Sequence, residues 1–201
     1  MNVLITGGAG FLGHAILAAS PLWPLATYHV LSRDETKHEE LRRRFPDVHT
    51  MIGDVRDRDL VDSLVRGMDL VIHAAAVKYV DEAERNVSEA IAVNVGGTEA
   101  VLRACARAGV PRVVFISTDK ATAPINTYGA SKYEGEKIVS GLLDEYYIIR
   151  AGWMVGGGAA KDHKFVSRMV NQVREGRTTI HAVGDKLGTQ TYTPDFARCF
   201  L

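Results

Sequence analysis

Short apolar runs alternate with amphipathic stretches along the chain. Residues 2–6 form an apolar run that breaks into glycines, and a helical pattern follows over 11–20, ending near Pro21. Residues 27–32 have β character, and a charged helix is expected over 35–45, stopping before Pro46. A strand at 48–52 and a helix at 57–67 come next, then a fourth strand over 69–74. Helices are expected at 84–95 and 97–108, a fifth strand at 112–117, a helix at 128–143 and a sixth strand at 146–150. Composition shifts after Ala151: residues 153–158 read as a loop and 164–175 as a helix. Strands alternating with helices predict an α/β fold, a doubly wound parallel sheet covered on both faces by right-handed crossovers. The pattern divides the chain softly near 151, into 1–150 and 151–201.

Composition changes this picture little. A chain of 201 residues, 46% hydrophobic and 24% charged, suits one large domain or one and a half small ones, with no need of a disulfide or metal staple. Lys plus Arg and Asp plus Glu both number 24, so the balance is neutral and argues against a nucleic-acid partner. The two cysteines form no CxxC, and Cys105 reads as a small buried hydrophobe. No apolar run approaches the ~18 residues of a membrane span, and no signal peptide is expected. These features point to a cytoplasmic protein. His38-Glu39-Glu40 is not a zinc motif, because Arg42 takes the second ligand position, and no metal site is expected.

The chemistry begins at Thr6-Gly7-Gly8-Ala9-Gly10-Phe11-Leu12-Gly13, between the first strand and first helix. Gly7 permits a tight turn, Gly10 lets backbone approach a pyrophosphate at the helix N-terminus, and Gly13 lets helix and strand pack closely. The pattern is that of a Rossmann phosphate loop in its required strand–turn–helix context. The second strand ends Leu31-Ser32-Arg33-Asp34. Ser32 does not repel a phosphate and Arg33 can pair with one, which favours NADP; Asp34 leaves NAD open, and Arg33 also reads as a solvated charge. Asp54, after the third strand, could accept from an adenine amino group or cap the next helix.

Tyr128-Gly129-Ala130-Ser131-Lys132 places a tyrosine and a lysine one helical turn apart. An ammonium there is expected to lower the phenol's pKa, so that Tyr128 exchanges a proton with a substrate hydroxyl during hydride transfer. Lys132 could also hold the nicotinamide ribose. The fifth strand ends Ser117-Thr118-Asp119-Lys120, at the sheet edge where ligands bind. Thr118 could bond the reacting oxygen. Asp119 and Lys120 add an acid and a base that plain hydride transfer does not need but that loss of water beside a carbonyl does. They also read as solvated loop charges.

Together the GGAGFLG, GDV, HAAA and YGASK motifs make the chain resemble the extended short-chain dehydrogenase/reductase superfamily, in its epimerase/dehydratase branch acting on nucleotide sugars. The segments 73–80 and 117–129, with Leu31–Glu35 and Gly53–Asp57, are similar to the inverting UDP-N-acetylglucosamine 4,6-dehydratases. That resemblance implies that Tyr128 takes the C4 hydroxyl proton, Lys120 removes the C5 proton, and Asp119 assists loss of the C6 hydroxyl, with hydride returned to C6. The segments 150–158 and 185–193 instead resemble dTDP-4-dehydrorhamnose reductases, which implies plain reduction of a C4 ketone; an aromatic residue is usual there in place of Lys120. Epimerisation at the same site, and a noncatalytic dinucleotide-binding module, are the remaining readings.

The expected cofactor contacts are Gly7, Gly10, Phe11, Leu12 and Gly13 of the loop, Ser32 and Arg33, Asp54 and Val55, Ala74, Ala75 and Ala76, with Tyr128 and Lys132. Residues 1–150 would form the NAD(P)-binding domain. Residues 151–201 would form part of a small, truncated substrate lobe, since family members are commonly longer. Apolar positions Ala90, Val93, Val101 and Ala104 suggest a homodimer, though burial against the sheet accounts for them equally well.

Overall fold

The structure, a computed structural model, describes residues 1–156, 165–182, 184 and 188–200. Six parallel strands build the main sheet: β1 (Asn2–Thr6), β2 (Thr27–Ser32), β3 (His49–Ile52), β4 (Leu70–His73), β5 (Val113–Thr118) and β6 (Tyr146–Ala151). Their order is β3-β2-β1-β4-β5-β6, with the reversal between β1 and β4. This is the doubly wound Rossmann order, and ligands in such sheets bind at that reversal, beyond the carboxyl ends of the strands.

Alternation along β1 explains the two layers. Val3 and Ile5 face one cluster, with Ile16 and Leu17 of α1 (Phe11–Ala18) and Leu41 of α2 (Glu35–Arg44). Leu4 faces the other, with Val61 and Val65 of α3 (Arg58–Val65) and Val101, Leu102 and Cys105 of the helix before β5. Both faces are covered, so the central strands are mostly apolar, with polar residues near their carboxyl ends; β4 is buried at all four positions, the last of them His73. Cys105 and Cys199 are free, and burial pushes the Cys105 thiol up to about 12.

The segment before β5 departs from the expected pair of helices. It runs as α4 (Val80–Arg85), α5 (Val87–Ile91), a π-helical stretch (Ala92–Gly97) and α6 (Thr98–Ala108). Asn86 breaks the helix near 86, while Gly96-Gly97 does not end it. Gly97 serves close packing instead, since a Cβ there would lie 2.6 Å from Val55 Cγ2. Ala90, Val93, Val101 and Ala104 are all buried within the chain, so any surface met by a second copy is made of other residues.

The expected loop at 153–158 is also corrected in part. β7 (Trp153–Val155) pairs in parallel with β8 (Gln190–Tyr192), held by Gly152 N–H donating to Thr191 Oγ1 at 2.9 Å. A partner 37 residues away leaves no local signal. Gly157, Gly158 and the segment 185–187 lie outside the described residues. After α7 (Thr127–Leu142) and α8 (Phe165–Arg174), α9 (Thr193–Arg198) packs on α1, and Ala197 and Phe200 join that face's core.

Candidate active site

A cleft of about 990 Å³ opens over the carboxyl ends of β1, β2, β4 and β5. Its floor is the glycine loop. Gly7 has φ +70°, and a Cβ there would lie 2.8 Å from Ala75 N, so the turn admits only glycine. A Cβ on Gly13 would lie 1.9 Å from the Gly8 carbonyl oxygen; this residue packs α1 onto the loop and does not line the cleft. Gly10 N-caps α1 with no side-chain cap, which leaves the first N–H groups of the helix open beside Phe11 and Leu12. That arrangement binds phosphate through helix dipole and backbone donors. The glycine cradle and cleft volume therefore fit a dinucleotide.

Most of the expected cofactor residues meet here. Gly7, Gly10, Phe11, Leu12, Ser32 and Arg33 line the cleft, as do Asp54, Val55 and Ala74, Ala75 and Ala76. Asp54 does not cap the following helix: Asp57 does, accepting from Leu60 N–H at 3.0 Å. Asp54 instead accepts from the Arg56 backbone and guanidinium, the nearest contact being 2.7 Å, and Arg56 holds its carboxyl below the usual range. Arg33 reaches Glu89 at 3.0 Å and Asp54 at 3.5 Å.

Thr118, Lys120, Tyr128 and Lys132 line the far end of the same cleft. Asn126 caps α7 by accepting from Gly129 N–H at 2.7 Å, which fixes the turn that presents Tyr128. Burial pushes the Tyr128 phenol up, while its hydrogen bond to Thr118 acts the other way. Lys132 does not lower it as the spacing suggested. Instead, burial depresses the Lys132 ammonium itself, to about 7, against the opposing pull of Glu136. Lys132 Nζ lies 4.0 Å from the centre of the Phe115 ring. Asp119 is not part of the cleft wall; its Oδ1 accepts from Thr118 Oγ1 at 3.0 Å and from Lys120 Nζ at 3.1 Å.

Three supports escaped the sequence reading. Asn94, in the π-helical stretch, pairs with both backbone groups of Val77 at 2.8 and 3.1 Å and donates to Ser131 Oγ at 2.9 Å. It thereby staples the loop after β4 to α7. Glu136, one turn beyond Lys132, takes a bidentate grip from Arg150 at 2.8 and 2.6 Å and a hydrogen bond from Ser117. Lys78 lines the cleft as a further cation, its pKa lowered by burial and by Lys37. The i, i+4 spacing of Lys132 and Glu136 was the available signal; Asn94 and Lys78 had none beyond position.

Behind the loop, His73 is wholly buried between two hydroxyls, Thr6 at 2.6 Å and Thr98 at 2.9 Å. Thr98 spends its only proton on the Asn94 carbonyl at 2.7 Å. His73 Nε2–H therefore donates to Thr98, and Nδ1 accepts from Thr6. Burial pushes His73 down to about 3, so the ring is neutral. Among the described residues, no acidic, histidine and cysteine cluster could hold a metal, and no helix is long and apolar enough to cross a membrane.

Sheet order, glycine cradle and a tyrosine–lysine helix at one strand edge define the class: a Rossmann protein of the extended short-chain dehydrogenase/reductase type. The family described as "Polysaccharide biosynthesis protein" matches residues 3–155, and the chain belongs to it. A UDP-N-acetylglucosamine 4,6-dehydratase (inverting) of Campylobacter jejuni is 40% identical over 144 residues, covering 68% of this chain and 42% of that protein. A UDP-glucose 4-epimerase of Rickettsia massiliae is 34% identical over 185 residues, covering 88% and 54%. Among solved structures, the dTDP-glucose 4,6-dehydratase DesIV of Streptomyces venezuelae, with NAD bound, superposes with a TM-score of 0.81 at 27% identity, over 100% of this chain and 70% of that one. The chain thus spans about half the length of the curated relatives it matches. These relatives agree with the epimerase/dehydratase resemblance carried by the N-terminal motifs.

Proposed function

We propose that the chain is the catalytic, dinucleotide-binding part of a nucleotide-sugar 4,6-dehydratase serving surface-polysaccharide or deoxysugar synthesis. The observation that carries this reading is the Asp119–Lys120 pair, 3.1 Å apart, attached to the same hydroxyl network as Tyr128 at one end of the cleft. A ketone reductase has no use for a second acid and base. The division at 150, the cytoplasmic location and a homodimer belong to the same proposal. In it, residues 151–201 contribute part of the substrate-binding region.

NADP or NAD would lie across the glycine loop, with Ser32, Arg33 and Asp54 toward the adenosine and Tyr128 and Lys132 toward the nicotinamide. When bound, the nicotinamide supplies reversible hydride acceptance. Tyr128, bonded to Thr118, first gives up its own proton to solvent and, as the phenolate, takes the proton from the sugar's C4 hydroxyl. Proton transfer between Lys120 and Asp119 converts their ion pair into an amine and a carboxylic acid. Lys120 then takes the C5 proton, acidified by the C4 carbonyl, while Asp119, reaching the cleft through the Thr118 hydroxyl it bonds, supplies the proton with which the C6 hydroxyl leaves as water. Loss of water leaves both groups ionised; Lys120 then gives a proton to C5 as hydride is returned to C6, and its ammonium is restored from solvent by a proton matching the one Tyr128 gave up, so every group is reset in each cycle.

Epimerisation is the second reading, favoured by the name of the Rickettsia relative. The test supplies UDP-N-acetylglucosamine, UDP-glucose and dTDP-glucose with substoichiometric dinucleotide, and their 4-keto forms with excess reduced dinucleotide, and follows nicotinamide absorbance and sugar products. Many turnovers per dinucleotide, giving a 4-keto-6-deoxy sugar, are expected. Dinucleotide oxidised one for one with a 4-keto sugar reduced would overturn dehydration, and an isomeric product of unchanged mass would favour epimerisation.

A further inference from the structure

Arg33 stands where an adenosine 2′-phosphate would need a cation, yet it is not free to offer its charge. Its Nη1 meets Glu89 Oε1 at 3.0 Å and Asp54 Oδ2 at 3.5 Å. Arg56 mirrors it, with Nη2 on Asp54 at 2.7 Å and Nη1 on the other Glu89 oxygen at 2.7 Å. The four groups come from three places: the end of β2, the turn after β3, and α5. Two guanidiniums and two carboxylates close a ring of zero net charge. The next cation along the cleft, Lys37, is paired as well, with Asp34 at 2.6 Å.

Arg33 and Asp54 line the cleft, whereas Arg56 and Glu89 hold them from behind. A dianionic 2′-phosphate entering here would gain Arg33 only by competing with Glu89 for the same nitrogen. A ribose with a free 2′-hydroxyl asks nothing of Arg33 and leaves the ring intact. From this geometry we infer that Glu89 is a specificity-determining residue that acts through Arg33, setting the balance between NADP and NAD by occupying the guanidinium a 2′-phosphate would use. The inference rests on the dinucleotide reading of the cleft.

The test is equilibrium titration of NADP⁺ and NAD⁺, followed by quenching of tryptophan fluorescence, against the parent chain, Glu89→Gln, and Glu89→Gln combined with Arg33→Ala. Glu89 is half-exposed on α5, so the amide is expected to fold, and melting temperature checks this. Removing one surface competitor should tighten NADP⁺ about fivefold, the scale of an exposed ion pair, with NAD⁺ changed less than about twofold. The Arg33→Ala combination should erase that gain. A ratio that stays put, a shift toward NAD⁺, or an equal gain for both dinucleotides would overturn the role of Glu89 while leaving the cleft's function intact. Failure of both dinucleotides to bind the parent would overturn the dinucleotide reading, and this inference with it.

Discussion

Two side chains with opposite demands, half-buried Tyr128 and fully buried Lys132, set the chemistry at the scale of single residues. Tyr128 is held as a phenol by burial, and Lys132 sits in apolar surroundings that depress its ammonium from 10.5 to about 7. Between those two values the unfolded chain holds a proton that the folded chain does not, so this group makes stability rise with pH from about 7 to 10.5. Below about 7 the folded protein carries the whole cost of the buried charge. Lys132→Met should therefore raise the melting temperature near pH 6 and flatten the parent's rise above pH 7, while weakening dinucleotide binding. A lower melting temperature at pH 6 would show instead that the ammonium is well satisfied. Tyr128→Phe removes one hydroxyl and no packing. Turnover should fall at least about 100-fold, the usual worth of a positioned proton-transfer group, with dinucleotide affinity within about twofold by titration.

At the scale of elements, the cleft depends on two joints. One is the glycine loop, where a Cβ on Gly13 would meet the Gly8 carbonyl oxygen at 1.9 Å. Gly13→Ala must push α1 away from the loop; loss of dinucleotide binding, with the melting temperature reduced, is the expected outcome of parallel titration and thermal unfolding. The other joint is the Glu136–Arg150 clamp, which ties α7 to β6 and, through Ser117 and Thr122, to the end of β5 and the turn after it. Arg150→Met takes the bidentate partner from a carboxylate that is 7% exposed and leaves it only Ser117 and the more distant Lys132, at a cost of about 3 kcal/mol. That corresponds to a drop of roughly 6–12 °C in a chain of this size. Burial pushes Glu136 up, but Arg150, Ser117 and Lys132 together outweigh it and hold the carboxyl below its ordinary 4.5, so the clamp stabilises above that pH and is lost as pH falls through the lowered value. The deficit of the variant should accordingly shrink in acid; a deficit independent of pH would mark lost packing.

The same scale shows what the sequence made legible. Strands β1 to β6 and their doubly wound, parallel arrangement follow from the alternation of strands with helices, because each apolar run is short and each helix supplies one buried stripe. The glycine loop and the Tyr128–Lys132 helix were readable for the same reason: their spacing is local. What escaped depends on distant partners. The pairing of β7 with β8, the bond from Asn94 to the loop after β4, and the double claim of Glu89 on Arg33 and Arg56 all join residues well apart in sequence. The π-helical stretch was misread because Gly96-Gly97 looks like a helix end, and only the closeness of Val55 gives Gly97 its purpose. The direction of the Tyr128 shift was misread because spacing reveals the nearby ammonium but not the burial that outweighs it.

For the whole molecule, the central claim is that one cleft combines reversible oxidation with loss of water. The groups for both lie together. Tyr128 and Lys132 stand on α7, Thr118 closes β5, and Asp119 with Lys120 forms the turn that follows. Epimerisation and ketone reduction share the first set and leave the second idle. The most direct test runs the reaction in D2O with substoichiometric dinucleotide and reads product mass. The mechanism predicts a product lighter by one water that carries one non-exchangeable deuterium, introduced at C5 when the double bond is reduced, with no net change in the dinucleotide. A product heavier by two hydrogens, matched by dinucleotide oxidation, would contradict it, as would an isomer without deuterium on carbon.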